Sequence, residues 1–495
     1  MLACSVVSRE YAAHLRVLAD SLLAADPEAR LAVCVVDDPD GDVEVHEAVE
    51  LVRPAELGVD RRELHRLALI YGAHGLASTI KPRMLRHLVE RGEPSALLLD
   101  ADICVYTPLR DLDTLAREHG LVLSPQLRRP ARGPDGPLAE SKVLATGTFN
   151  SGCVGVSAAA GPFLDWWASR TARDCVEARE QGRFFEQLWL SLVPGMFPYH
   201  VLEDPGLNVF GAQLGGQDVS FEDGVPILED GVRVRFFHFL CGFDPYRPQF
   251  LSPAAYEDGW PGWPRPGQHS GIERLCADYA ERLIAAGFAA RQTYRYTVLP
   301  DGTALDGAMR AAYRRGLLDS ERGRGPEPPN PFMDGTAEPF LDWLRQPPQD
   351  WPDEPVPRYV LGLRDARSDL RVICSEVPGR HTRALLGWVA RASGWGEPIW
   401  EGLNAGEGGS RSPERDLAAG AGRERQGRAL ANARESARSL REQLDNVYAS
   451  RSWRLTQPLR RVAALVGRSH REPLPPARRR VDRETHRVAN ERRGV

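Results

Sequence analysis

The run Ala96-Leu97-Leu98-Leu99-Asp100-Ala101-Asp102-Ile103 constrains the fold of this chain more than any other stretch. Its apolar half has the length and continuity of a strand buried on both faces, as in sheets covered by helices on either side. It runs into two carboxylates two residues apart. Strand side chains repeat with period two, so the spacing predicts Asp100 and Asp102 on one side of the sheet at its carboxyl edge. Open α/β sheets bind their ligands at that edge. Two hard oxygen donors there suit a divalent cation carrying a diphosphate. The same spacing recurs at Asp38/Asp40, Asp40/Asp42 and Asp111/Asp113, yet only Asp100/Asp102 follows a continuous apolar strand. A solvated strand-end turn is the plain alternative.

The sequence upstream supplies the rest of such a sheet. An apolar strand over residues 2–7, a helix over 11–25 and a second buried strand over 31–36 make the strand–helix–strand signature of a parallel α/β sheet. A helix is expected over 78–91, entered through Lys81-Pro82, because proline is tolerated at a first helical position. Further strands are expected at 121–124, 153–157 and 232–239. A helix over 162–169 carries Trp166 and Trp167 as core-facing anchors. The segment 128–137, rich in Arg, Pro and Gly, reads as a loop or lid.

These patterns divide the 495 residues into an α/β domain over 1–255 and a helical accessory region over 256–405. A Gly/Ser/Arg-rich linker over 406–425 follows. Residues 426–467 hold a stripe of Leu430, Ala433, Ala437, Leu440, Leu444 and Val447 at spacings of 4 and 3, then Ser452-Trp453-Arg454-Leu455-Thr456. Such a stripe predicts an amphipathic helix that pairs with a second copy as a coiled coil or packs on its own chain. The Arg-rich, Pro-interrupted tail over 468–495 predicts disorder, with peripheral contact to an anionic membrane as the other reading.

Composition narrows the function classes. An apolar share of 42% and a charged share of 26% are those of a globular protein, and the net charge of -5 argues against nucleic acid as a partner. The eight cysteines are scattered, with no CxxC pair, which points to a reducing compartment and away from a zinc site or disulfide framework. No apolar run approaches the roughly 20 residues that span a bilayer, and the expected location is cytoplasmic. Only Lys81 and Lys142 are lysines. A retained lysine among arginines is notable because its ammonium is a compact point charge suited to phosphate.

Four further pieces accompany the aspartates: Phe149-Asn150-Ser151-Gly152, expected as a turn before a strand; Phe185-Glu186-Gln187-Leu188-Trp189; Pro205-Gly206-Leu207-Asn208-Val209; and Arg235-Phe236-Phe237-His238-Phe239, followed by Gly242. In this order the motifs resemble the GT-A glycosyltransferases of the glycosyltransferase family 8 type, and more narrowly a bacterial group with a helical appendix. The resemblance covers about residues 1–250 well and 256–400 loosely. The Ser452–Thr456 stretch resembles tails of bacterial enzymes acting on surface glycans.

The resemblance implies a nucleotide-diphosphate-sugar donor, a glycan, lipid-linked or protein acceptor, and Mn²⁺ or Mg²⁺. Asp100 and Asp102 fall on the family's metal motif and His238 on its third ligand; imidazole beside carboxylates favours Mn²⁺. Asn150, Glu186 and Gln187 match positions lining the donor sugar and reaction centre, with Glu186 standing where the family usually has Asp. Lys81 is the candidate cation beside the leaving diphosphate, with Arg247 a weaker one. Tyr11 and Asp38 are candidates for contact with the base. Gly242 belongs to the His-Gly motif, but the family's following phosphate-binding lysine is missing. Retention of configuration is implied by the family only. The plain alternatives are a core histidine at 238, a helix-surface pair at 186–187 and a helix-start charge at 81.

Other functions stay open on these residues. A nucleotidyltransferase or sugar-nucleotide hydrolase usually signals a Gly-rich loop after the first strand, where this chain has Ser8-Arg9-Glu10-Tyr11. A haloacid-dehalogenase-type phosphatase needs a later lysine with paired carboxylates, which is not found. A non-catalytic glycan- or nucleotide-binding scaffold assembling through the terminal helix is the reading from another class.

Overall fold

The computed structural model describes residues 1–131, 138–240, 242–253, 267–349 and 356–392, all within one compact unit, Met1–Gly406. The linker, heptad-like stripe and basic tail expected beyond residue 405 lie outside the described residues, as does most of the loop 128–137.

The architecture is α/β: a mostly parallel sheet flanked by helices, as the opening strand–helix–strand pattern predicts. In chain order come β1 (Leu2–Val7), α1 (Ala12–Ala25), β2 (Arg30–Val35), β3 (Val49–Leu51), α2 (Arg61–Ile70), α3 (Ala73–Glu90), β4 (Ala96–Leu99), β5 (Ile103–Val105), α4 (Arg110–His119), β6 (Leu121–Pro125), α5 (Glu140–Thr146), β7 (Phe149–Val156) and α6 (Gly161–Asp174). A short antiparallel pair, β8 (Glu177–Ala178) and β9 (Arg183–Phe184), precedes β10 (His200–Val201), β11 (Val209–Phe210) and α7 (Gly211–Leu214). The pair β12 (Val219–Glu222) and β13 (Val225–Leu228) leads to β14 (Phe236–His238). Seven strands form the main sheet in the order β10-β6-β7-β4-β1-β2-β3, and β11-β14-β5 form a second, small one.

Period-two alternation places the core. Cys4 and Val6 of β1, Ala32 and Cys34 of β2, and Leu98 of β4 face a cluster built with α2, α3 and α6. Ala3 and Val7, Leu31 and Val33, and Leu97 and Leu99 face the opposite cluster with α1 and α4. Trp167 of α6 is fully buried, and Trp166 packs partly buried at the same cluster. The first cluster continues through Tyr294 and Tyr296 into the helices Gly307–Glu321 and Arg358–Ala366. These two cross so closely that a side chain at Gly362 would overlap the Ala308 carbonyl.

Three expectations are corrected. The apolar strand ends at Leu99, one residue before the first aspartate; the chain turns over Asp100–Asp102 and enters the second sheet at Ile103. The helix expected from residue 78 begins at Ala73, with Lys81 and Pro82 buried in its interior. Leu76, Ile80, Met84 and Leu85 are all buried, and packing of that apolar face holds the helix through a proline that cannot donate a backbone hydrogen bond. Phe149–Gly152 is not a turn before a strand but the first half of β7. Its turn chemistry appears as a bulge, the pairing with β6 jumping from Leu123↔Val154 to Ser124↔Asn150.

Candidate functional site

Strand pairing between the two sheets assembles the site. Leu99 pairs with Cys153, and the Asp100 N–H donates to Gly152 O at 3.0 Å, fixing the start of the turn against β7. His238 pairs with Ile103, and the Phe239 N–H donates to Asp102 O at 2.8 Å, fixing the turn's end against β14. Asp100, Asp102 and His238 thereby converge, each with one ligand atom within 4.8 Å of the others. Nε2 of His238 lies 3.0 Å from Asp102 Oδ1 and 3.9 Å from Asp100 Oδ2. The sheet edge expected from the spacing is thus a joint between two sheets.

The imidazole is oriented from behind. Asn208 donates through Nδ2 to Ser124 Oγ at 3.0 Å, which turns its Oδ1 toward His238 Nδ1, 3.1 Å away. Nδ1–H therefore donates to Asn208, and Nε2 faces the carboxylates. Orientation of a ligating histidine by its other nitrogen is a recurrent feature of metal sites. Burial pulls the His238 ring toward the neutral form, but the adjacent Asp102 carboxylate more than offsets this and raises it above an ordinary histidine. Burial acts upward on Asp102 too, and the imidazolium holds that carboxyl below the usual range.

Lys81 forms the second half of the site. Its Nζ lies 2.8 Å from both Asp100 Oδ1 and Glu186 Oε1. Burial disfavours its charge, and the two carboxylates overcome that and hold the proton above the ordinary lysine range. Glu186 is 1% exposed; Lys81 outweighs the upward push of burial and brings the carboxyl down to about 2. Ser151 donates to the same Oε1 at 2.8 Å, and Trp167 Nε1–H donates to the Glu186 carbonyl at 3.0 Å. Oε2 of Glu186 is buried and lacks a hydrogen-bond partner among the described residues. Gln187 accepts from Ser151 N at 3.3 Å and donates to Thr146 O at 2.9 Å. Asn150 accepts from Gly152 N at 2.9 Å across the bulge.

A search of family models finds no match to the chain. Over 96 residues the chain is 32% identical to YfnF of Bacillus subtilis (strain 168), described as an uncharacterized protein; the match takes in 19% of this chain and spans about a third (32%) of that relative's length. Solved structures similar to this chain include the galactosyltransferase LgtC in complex with donor and acceptor sugar analogs, with 16% identity, 59% of this chain and 97% of that chain covered, and a TM-score of 0.33. The apo bifunctional glycosyltransferase WbbM is similar at 11% identity, 50% of this chain and 46% of that one, with a TM-score of 0.30. Mouse xyloside xylosyltransferase 1 is similar at 13% identity, 48% and 97% coverage, and a TM-score of 0.29. At these scores the likeness carries no weight of its own.

The remaining sequence candidates make other contacts. Asp38 accepts from Val43 N at 2.8 Å and lies 3.5 Å from Arg9, beside buried Asp37 at the ends of β1 and β2. The Tyr11 ring packs on His14, centroids 4.7 Å apart. Burial keeps the His14 ring neutral, down to about 4, against the pull of Asp102. Gly242 has a left-handed φ of 71°, and no recorded hydrogen bond joins it to the cluster among the described residues. The Arg247 guanidinium lies over the Phe250 ring at 4.8 Å. Sequence reasoning assigned no role to Asn208, Ser124 or Ser151. Asn208 stands in a motif that was visible, but its partner His238 is 30 residues away and is set by the pairing Phe210↔His238.

Proposed function

We propose that the chain is a metal-dependent glycosyltransferase of GT-A type, moving a sugar from a nucleotide-diphosphate donor to a glycan, lipid-linked or protein acceptor with retention of configuration. The observation that carries this reading is the convergence of Asp100, Asp102 and His238, with His238 oriented by Asn208. Two carboxylates and one imidazole fit Mn²⁺ or Mg²⁺, with the nitrogen donor favouring Mn²⁺. When bound, that ion supplies Lewis-acid stabilisation of the charge that builds on the departing diphosphate. The chain's own residues do the rest. Lys81 holds the Asp100 and Glu186 carboxylates in place and keeps Glu186 ionised. Oε2 of Glu186, buried and without a hydrogen-bond partner among the described residues, leaves one unused acceptor in the wall beside the metal cluster. Gln187 and Asn150 frame the same wall from the strand bulge.

The helical region over 256–405 is read as an accessory to this centre, and the chain beyond 405 as an assembly element. Nucleotide release from a panel of sugar nucleotides, with and without Mn²⁺, tests the reading. At least one donor should be turned over only with metal, and Asp102→Ala should abolish that release. No turnover or binding of any donor, or an Asp102→Ala variant as active as wild type, would overturn it in favour of a binding scaffold. Chain ending at residue 405 should keep donor hydrolysis.

A further inference from the structure

A cavity of about 460 Å³ opens between the helices Gly307–Glu321 and Arg358–Ala366 and the β8–β9 hairpin. That volume is in the range of small-ligand sites. Among the described residues, eight arginines and three carboxylates line it, and none belongs to the Asp100–Asp102–His238 cluster. Ion pairing does not cancel the excess. Asp365 serves both Arg315 and Arg364, each at 2.8 Å. Asp174 likewise serves both Arg314 and Arg183. Asp319 holds Arg324, and Glu180 holds Arg371. The third lining carboxylate, Glu177, is engaged by Arg179 from outside the cavity at 2.8 Å.

Two guanidinia make no ion pair among the described residues. Arg310 gives its hydrogens to the carbonyls of Ala68, Tyr71 and Tyr296, which carry no net charge. Arg322 is exposed and has no ion pair among the described residues. Eight lining guanidinia thus stand with five carboxylates, one of which, Glu177, is already paired with Arg179. Like charges gathered in a concavity with low-dielectric walls repel one another and focus a positive potential into it. Planar guanidinium forks match phosphoryl oxygens two at a time.

We propose that this cavity binds a small soluble anion carrying two or more phosphoryl groups, at a site separate from the metal cluster. The probe is inorganic pyrophosphate, titrated calorimetrically into the full chain with EDTA present throughout. Saturable binding is expected, tighter than for inorganic phosphate or citrate. Arg315→Gln and Arg322→Glu should each weaken it by at least about tenfold, the loss of a charge-assisted hydrogen bond or two. Arg322→Glu alters a side chain with no recorded partner, so it keeps the test valid if Arg315→Gln fails to fold. Asp102→Ala should leave the affinity unchanged. The proposal is overturned by absence of saturable binding at millimolar pyrophosphate, by wild-type affinity in Arg322→Glu, by loss of binding in Asp102→Ala, or by citrate binding as tightly as pyrophosphate.

Discussion

The imidazole of His238 fills the space that a side chain at position 152 would need: a Cβ on Gly152 would overlap Cε1 of the ring and lie 2.9 Å from Nδ1. The backbone at this position is extended within β7, so the demand for glycine is steric. Gly152→Ala should displace the ring and cost at least about tenfold in Mn²⁺ affinity, as disturbed ligand support does in other sites. Manganese titration followed by electron paramagnetic resonance reads this directly. Retained wild-type affinity would show that the ring has room to move.

Asn208 has a positive φ of 53°, a conformation that glycine adopts without strain. Asn208→Gly therefore removes the amide that faces His238 while leaving the turn intact. Metal affinity should fall by about 10–100-fold, and the unfolding midpoint should move far less than the affinity. A parallel loss of both would make Asn208 a packing residue only.

Metal binding should compete with protons at His238. Burial works against the charged ring, but Asp102 raises its pKa above the ordinary value. Below that raised pKa the metal must displace a proton. Mn²⁺ affinity should then fall with decreasing pH by about tenfold per unit, with one proton released per metal bound. Calorimetry in buffers of different ionisation enthalpy measures the proton count, and a value near zero across pH 6–8 would contradict the assignment.

Lys81→Met leaves Glu186 and Asp100 without their shared cation. Breaking a buried pair from one side costs about 3–5 kcal/mol, and adding Glu186→Gln should recover part of it in urea unfolding at neutral pH. The linkage has a defined sign. Glu186 titrates lower in the folded chain, near 2, than its ordinary 4.5. Its contribution is complete above 4.5 and is lost as pH falls toward 2, roughly 3 kcal/mol in all. Wild type should lose that much more stability than Glu186→Gln over this window.

Local pattern made the sheet legible and left the joint hidden. The alternation of β1 and β2 side chains between two buried clusters follows from apolar runs, and the aspartates stood out because an apolar strand precedes them. That Asp100 closes one sheet and Asp102 opens another depends on which strands pair, and β5 meets β14 across more than a hundred residues of chain. Lys81 and Glu186 meet across 105 residues of chain. Pro82 misled for a different reason. Read locally, proline marks a helix start, whereas burial of the surrounding apolar face outweighs one missing hydrogen bond.

The turn from Leu99 to Ile103 has a mechanical consequence. Asp100 is anchored to β7 in the large sheet and Asp102 to β14 in the small one, so any tilt of one sheet against the other changes the separation of the two carboxylates. A cation held by both would tie the two sheets together across this turn. Metal binding should therefore slow amide exchange along Ile103–Val105 and Phe236–His238, and unchanged exchange would count against that tie.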